Sequence, residues 1–291
     1  MDKPKLIAEI GCNHKGDFEI AKEMIEVAAD CGADVVKFQK RDNKKVLTEE
    51  EYNSPHPVPH NSYGETYGKH REFLEFDIEK HRKLKEHAEQ NGVIYSSSVW
   101  DINSAKEMAE LNPEFIKIPS ALATHYEVLD YLRDNYDGVL HISTGMTKQE
   151  ERFKLMQYLI YNEIEAVVYH CTSGYPITFE QARLLGIREL QSIRNQVANN
   201  GHDYGITTGY SGHHKGIAID IAAYTLGAEY IERHFTLDRT WKGTDHAASL
   251  EPQGFERLKR NLVATYEALQ HRPEGFLDIE KPQVKKLRWD R

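Results

Sequence analysis

Eight short apolar runs, each followed by a stretch of helical periodicity, recur along the 291 residues. The strand-like runs are Leu6 to Ile10, Val35 to Gln39, Ile94 to Ser97, Phe115 to Ile118, Leu140 to Ser143, Ala166 to His170, Tyr204 to Thr207 and Tyr230 to His234. Helical patterns cover Phe18 to Cys31, with Ala21, Met24, Ile25 and Ala28 on one face, then Ile78 to Asn91, Asn103 to Leu111 and Tyr126 to Asn135. Thr147 to Asn162, Glu180 to Asn199, Gly216 to Leu226 and Gly254 to Gln270 complete the series. A strand that returns to its sheet through a helix pairs parallel with its predecessor, and eight such units suffice to close the sheet on itself. The expected fold is therefore α/β, a single-domain (β/α)8 TIM barrel over residues 1–291. An open doubly wound sheet often has a glycine-rich first turn of the form Gly-x-Gly-x-x-Gly, which Gly11-Cys-Asn-His-Lys-Gly16 does not match. Two segments depart from the repeat. Residues 40–76 form a long insertion after strand two, with Pro55, Pro57, Pro59 and three histidines, and residues 272–291 form a C-terminal tail.

Composition narrows the function classes. With 37 basic against 46 acidic side chains the formal charge is −9, which argues against a general electrostatic grip on nucleic acid or on an anionic membrane. An anionic ligand must be met by a few specific cations. No apolar stretch reaches the roughly 20 residues of a membrane span, and the short run after Lys5 has neither the length nor the cleavage pattern of a signal peptide. Cys12, Cys31 and Cys171 have no Cys-x-x-Cys spacing, so a reducing, cytoplasmic setting is expected.

In a parallel barrel the chemistry gathers where the strands end, and here those ends are polar. Glu9 and Asn13 close strand one, Lys37 and Gln39 strand two, Ser98 strand three, Lys117 and Ser120 strand four, and Ser143 strand five. Ser173 and Tyr175 follow strand six, Ser211, His213 and His214 follow strand seven, and Glu232 and His234 lie in strand eight. Lys37 and Lys117 at one mouth, with serines beside both, suit a phosphate or carboxylate, although Lys37 also has an ordinary partner available in Glu9. His213 and His234 end successive strands, a spacing at which two imidazoles can share a divalent metal; His214 competes for the first position. Glu232 is a candidate metal ligand or a partner of one, since period-two geometry turns it to the same side as His234. Asp245, in the loop after strand eight, either reaches the mouth or caps a helix.

Taken together these motifs resemble the sialic acid synthase family. The resemblance rests on Glu9-Ile-Gly-Cys-Asn13-His14, Lys37-Phe-Gln39, Tyr67-Gly-Lys-His-Arg71 through Leu74-Glu-Phe76, Ser143-Thr-Gly-Met146 and Cys171-Thr-Ser-Gly-Tyr175-Pro176. Gly209-Tyr-Ser211-Gly-His213, Glu232-Arg-His234-Phe-Thr236 and Trp241-Lys-Gly-Thr-Asp245 through Pro252 extend it over nearly the whole chain. It implies a barrel transferase that condenses phosphoenolpyruvate with N-acetylmannosamine, its 6-phosphate or a related aldose. It also implies Mn²⁺ or Mg²⁺ on His213 and His234, and phosphoenolpyruvate on Lys37, Ser98, Lys117, Ser120, Ser143, Ser173 and Ser211. The sugar is expected near Glu9, Gln39, Tyr175 and Asp245, with Glu9 as the proton-transfer candidate and Lys37 and Lys117 as its catalytic companions. A homo-oligomer is expected.

Three departures bear on the substrate. Leu122 stands where the family usually has an acidic residue that helps hold the sugar, and Ser173 and Ser98 stand where Asn and Thr are frequent. The antifreeze-like C-terminal domain of the usual synthase is expected to be missing. The competing readings are a synthase of another 3-deoxy-ulosonic acid, a metal-dependent sugar-phosphate lyase or isomerase, and an inactive sugar-binding paralogue.

Overall fold

A computed structural model describes residues 3–198 and 205–289. Its strands are β1 (Lys5–Gly11), β2 (Val35–Lys40), β3 (Ile94–Val99), β4 (Phe115–Ile118), β5 (Val139–Ser143), β6 (Ala166–Cys171), β7 (Ile206–Gly212) and β8 (Tyr230–His234). Each pairs parallel with the next, and β8 returns to β1 through Ile7↔Glu232 and Glu9↔His234, so the sheet is a closed barrel in sequence order. The helices that carry the crossovers are α1 (Phe18–Asp30), α2 (Ile78–Gln90), α3 (Ile102–Leu111), α4 (Tyr126–Asn135), α5 (Gln149–Tyr161), α6 (Gly186–Val197) and α7 (Ala218–Thr225), with α8 (Pro252–Ala268) after the last strand.

Local chemistry explains where these elements begin and which side they bury. Asp17 caps α1 by accepting from the Glu19 and Ile20 amides, and the helix buries the expected stripe of Ala21, Met24, Ile25 and Ala28. Along each strand, alternate residues point outward to the helices or inward to the barrel axis. Leu6, Ala8, Ile10, Val36 and Phe38 belong to the outer core, each removing apolar surface worth about 1.5–3 kcal/mol for a large side chain. The inward set has two zones. Ile7, Val35, Phe115, Val167 and the ring of Tyr169 plug the lower barrel. Above that plug the inward side chains are charged or polar.

Two expectations need correction. Strand seven is Ile206–Gly212, not Tyr204 to Thr207, whose first residue lies outside the described part of the chain. Gly209 and Gly212 make the segment look like a loop, yet Gly209 is required where it stands: a Cβ there would lie 2.6 Å from the ring of Tyr169, its register partner. The helix expected over Glu180 to Asn199 begins later, at Gly186, after a single 3₁₀ turn at Glu180–Ala182, and Asn199 is likewise outside the described residues. The insertion holds helices at Asn43–Val46, Glu49–Asn53 and Tyr67–Leu74, and the tail carries one at Lys281–Leu287.

The insertion packs beside the mouth. Gly16 lies against it so closely that a Cβ would meet the Phe73 carbonyl at 2.4 Å, and the ammonium of Lys242, in the loop after β8, sits 4.7 Å from the Tyr63 ring. Loops after β1, β2 and β8 thus meet over one side of the barrel. No helix among the described residues is long and apolar enough to cross a membrane.

Candidate active site

A cavity of about 300 Å³ opens at the C-terminal ends of the strands. Glu9, Lys37, Gln39, Ser98, Lys117, Ser120, Ser143, Ser173, Tyr175, Ser211, His213 and His234 all line it, which brings together every expected site residue except Asp245. Larger clefts lie beside it, one of about 930 Å³ under Phe179 and Leu185 and one of about 590 Å³ under Asn43, but neither gathers the inward charges of the barrel.

Those charges form one cluster. Lys37 contacts the Glu9 carboxylate and donates to Ser98 Oγ at 2.7 Å, while Gln39 donates to Glu9 Oε1 at 2.6 Å. Lys117 Nζ lies 2.8 Å from Glu232 Oε2, and Lys37 Nζ lies 3.9 Å from Glu232 Oε1. Two ammonium groups and two carboxylates, all buried, therefore balance inside the barrel. Glu232 also accepts from Ser211 at 3.0 Å. Both its oxygens are engaged with the lysine side of the cavity, so it holds the cations rather than serving the histidines. Burial pushes the Lys117 ammonium below its ordinary range and Glu232 opposes this; for Glu232 burial acts the other way and is outweighed by Lys117 and Lys37, which hold the carboxyl well below the usual range. The pairing of Lys37 with Glu9 is real, and it coexists with a place in the cavity wall.

Beside the lysines the backbone comes close. Gly145, after β5, donates its amide to Ser120 Oγ at 3.0 Å, and a Cβ at this position would stand 2.4 Å from Ser173 Oγ and 2.7 Å from Ser120 Oγ. Three loops thus bring hydroxyls against bare backbone, a donor-rich wall facing two cations. The expected acidic position is different in kind: Leu122, on the turn Ser120–Leu122, packs against the outer core and is absent from the cavity wall.

Across the cavity, the rings of His213 and His234 are 5.6 Å apart, with Tyr175 4.1 Å from the first and 5.9 Å from the second. His213 Nδ1 is 3.0 Å from the Thr172 carbonyl, which fixes its tautomer and leaves Nε2 a lone pair. Burial, helped by His234, pushes the His213 pKa down to about 3, so the ring is neutral. His234 Nδ1 is buried with no hydrogen-bond partner. An orphaned imidazole nitrogen beside a neutral, oriented imidazole fits two of the donors of a divalent ion. No cluster of three or more His, Cys, Asp or Glu side chains arranged for a metal occurs among the described residues, so the remaining donors would be water or substrate. The competitor His214 faces away, into a buried set with Asp220 at 3.2 Å, Arg233 at 3.1 Å and Tyr210 at 3.2 Å.

Asp245 sits in the loop after β8, half-buried, accepting from Thr244 at 3.1 Å. Burial raises its carboxyl pKa, and His234, Thr244, Arg71 and Arg41 outweigh that and lower it. It therefore borders the histidine side without lining the cavity. Arg41 adds a cation that the sequence pattern did not single out: it pairs with Glu75 at 3.1 Å, contacts Gln39 and stacks 4.6 Å from the Trp100 ring. Trp100, Met146 and Cys171 complete the wall. Burial raises the Cys171 thiol to about 11, which keeps it protonated.

The sequence model of the NeuB family matches residues 24–273. The chain belongs to the NeuB family. Its relatives include an N-acetylneuraminate-9-phosphate synthase of Homo sapiens, 37% identical over 287 residues that cover 97% of this chain and 76% of that one. An N,N'-diacetyllegionaminic acid synthase of Campylobacter jejuni is 34% identical, covering 99% and 83%. Among solved structures, the N-acetylneuraminic acid synthetase of Leptospira borgpetersenii in complex with citrate superposes with a TM-score of 0.80 at 26% identity, covering 99% and 93%. This NeuB-family chain is accordingly an enzyme chain whose fold and motif order extend over nearly its full length.

Proposed function

We propose that the protein condenses phosphoenolpyruvate with an aldose, N-acetylmannosamine, its 6-phosphate or a related sugar, to give a sialic-acid-like 3-deoxy-2-keto sugar acid and phosphate. The observation that carries this reading is the convergence of Lys37 and Lys117 from β2 and β4 on one wall with Ser98, Ser120, Ser143, Ser173 and Ser211. A dianionic phosphate next to a carboxylate needs two fixed cations and several hydroxyl donors at close spacing, and this wall supplies them. The N-acetylneuraminate-9-phosphate synthase and N,N'-diacetyllegionaminic acid synthase among the relatives support the same reaction class.

His213 and His234 would hold a divalent ion, Mn²⁺ or Mg²⁺, which when bound polarises the carbonyl of the open-chain aldehyde. Lys37 and Lys117 hold phosphate and carboxylate while C3 of phosphoenolpyruvate bonds to the aldehyde carbon, whose oxygen takes up a proton. They also screen the charges around C2 as it becomes electron-deficient. Water adds to C2, its proton passing to Glu9, which lies within reach of Gln39 and Lys37 and thereby stays oriented. The tetrahedral carbon then expels phosphate by C–O cleavage and closes to a ketone. Phosphoenolpyruvate, aldose and water go in; sugar acid and phosphate come out. Gln39, Tyr175 and Asp245 border the region left for the sugar.

A second reading concerns the acceptor alone. Because Leu122 turns into the core, no carboxylate comes from that position, which favours an aldose recognised by Gln39, Tyr175 and the Arg41 side of the mouth. Incubation with Mn²⁺, phosphoenolpyruvate and a panel of hexoses, N-acetylhexosamines and their phosphates tests both. Phosphate release with at least one aldose is expected; none with any of them, while a control synthase works, overturns the proposal.

A further inference from the structure

Under the floor of the cavity lies a polar pair that the reaction just described does not use. Tyr169 on β6 and His141 on β5 are both fully enclosed in the barrel, with Tyr169 Oη 2.8 Å from His141 Nδ1. His141 stacks on Phe115 with centroids 3.6 Å apart, its neighbour Tyr230 meets it edge-on at 4.9 Å, and bare Gly209 leaves room for the Tyr169 ring. Every side of this pair is fixed by packing. Burying a hydroxyl and an imidazole where Leu or Val would fill the plug costs free energy unless both are satisfied, so an explanation is called for.

The ring of Tyr169 supplies one. Lys117 Nζ sits over it, 3.6 Å from the centroid. The ammonium thus meets Glu232 on one side and the negative face of an aromatic ring beneath, leaving the cavity as the free direction for its remaining N–H bonds. Glu232 alone would not fix that direction, since a lysine stem can swing about a single carboxylate contact. The hydrogen bond to His141 keeps the ring from turning, and the Phe115 stack keeps His141 in place. Neutrality suits the pair: burial holds the phenol well above its ordinary range and, with the nearby lysines, holds His141 well below its own, so the phenol donates and the imidazole accepts.

We infer that Tyr169, oriented by His141, is a positioning residue that aims the Lys117 ammonium at the anion-binding wall. This rests on the phosphoenolpyruvate reading above. It is separable from it, because the wild-type protein must first show aldose-dependent phosphate release; if it shows none, the reaction reading fails before the variants are made.

Steady-state kinetics with phosphoenolpyruvate varied at saturating aldose test the inference. Tyr169→Leu should raise KM for phosphoenolpyruvate about tenfold with a smaller change in kcat, and Tyr169→Phe, which keeps the ring, should recover most of that loss. Incorporating trifluorophenylalanine at position 169 preserves shape while draining the ring's negative face, so it also guards against a Leu variant that fails to fold. KM should rise relative to Tyr169→Phe by several-fold. Equal KM values for the Phe and trifluorophenylalanine proteins, or a Tyr169→Phe protein as impaired as Tyr169→Leu, overturn the inference.

Discussion

Replacing Glu232 by Gln removes one of the two carboxylates that balance Lys37 and Lys117 inside the barrel. At an effective dielectric of about 20, the 2.8 Å contact with Lys117 corresponds to about 6 kcal/mol of attraction and the 3.9 Å contact with Lys37 to about 4 kcal/mol. Against this loss stands the several kcal/mol no longer spent desolvating the carboxylate, and the Gln amide oxygen still accepts from Ser211. The net cost expected for stranding a buried ammonium is about 3–5 kcal/mol. For a chain of this size that lowers Tm on the order of 10 °C. Thermal unfolding by circular dichroism measures it, first alone and then with inorganic phosphate. Because phosphate restores an anion beside the freed lysines, it should stabilise Glu232→Gln more than the wild type. A variant that melts within about 2 °C of wild type, or that gains no more than wild type from phosphate, refutes the view that Glu232 balances the two buried cations.

Other outcomes follow from the same structure. His234→Ala should lose saturable Mn²⁺ binding, followed by the electron paramagnetic resonance signal of the free ion, together with metal-dependent turnover; unchanged Mn²⁺ uptake contradicts the histidine assignment. Gly209→Ala places a methyl 2.6 Å from the Tyr169 ring and should destabilise the fold by about 1–3 kcal/mol, read as a lower urea midpoint. Acid should unfold the protein early. Burial holds His14 and His81 near 3 and His141 well below its ordinary value, so the unfolded chain binds protons below about pH 6.5 that the folded chain refuses. Stability is full above that pH and falls as pH drops toward 3; at pH 5 His14 and His81 together cost on the order of 4 kcal/mol, and His141 acts in the same direction. A urea midpoint equal at pH 7 and pH 5 contradicts this.

Much of the architecture is legible in the alternation of strand and helix patterns, because each unit carries its own period and parallel pairing leaves few ways to close eight of them. Strand β7 is the exception: its Gly209 makes room for the Tyr169 ring, a contact 40 residues distant in the chain that no local pattern encodes. The mouth was legible wherever period-two geometry applies, as for Lys37 with Gln39 and Glu232 with His234. Position within a loop is another matter. Asp245 lies in a loop that packs on the insertion through Lys242 and Tyr63, and Tyr175 in one whose ring rests on His213 and His234. His213 could be separated from His214 only by seeing His214 locked to Asp220 and Arg233. Trp100 follows its strand like many surface residues and lines the wall with Arg41 stacked on it, and Arg41 is held in turn by Glu75. The roles of Tyr169 and His141 were illegible, since an apolar plug and a positioning pair have the same sequence spacing.

The most direct measurement uses phosphoenolpyruvate carrying heavy oxygen in the bridge between C2 and phosphorus, supplied with Mn²⁺ and the aldose that supports turnover. Mass spectrometry of the products should find one phosphate per sugar acid, with the label retained in phosphate and absent from the C2 ketone. Label in the sugar acid, or phosphate released without a new carbon–carbon bond, contradicts the condensation assigned to this barrel mouth.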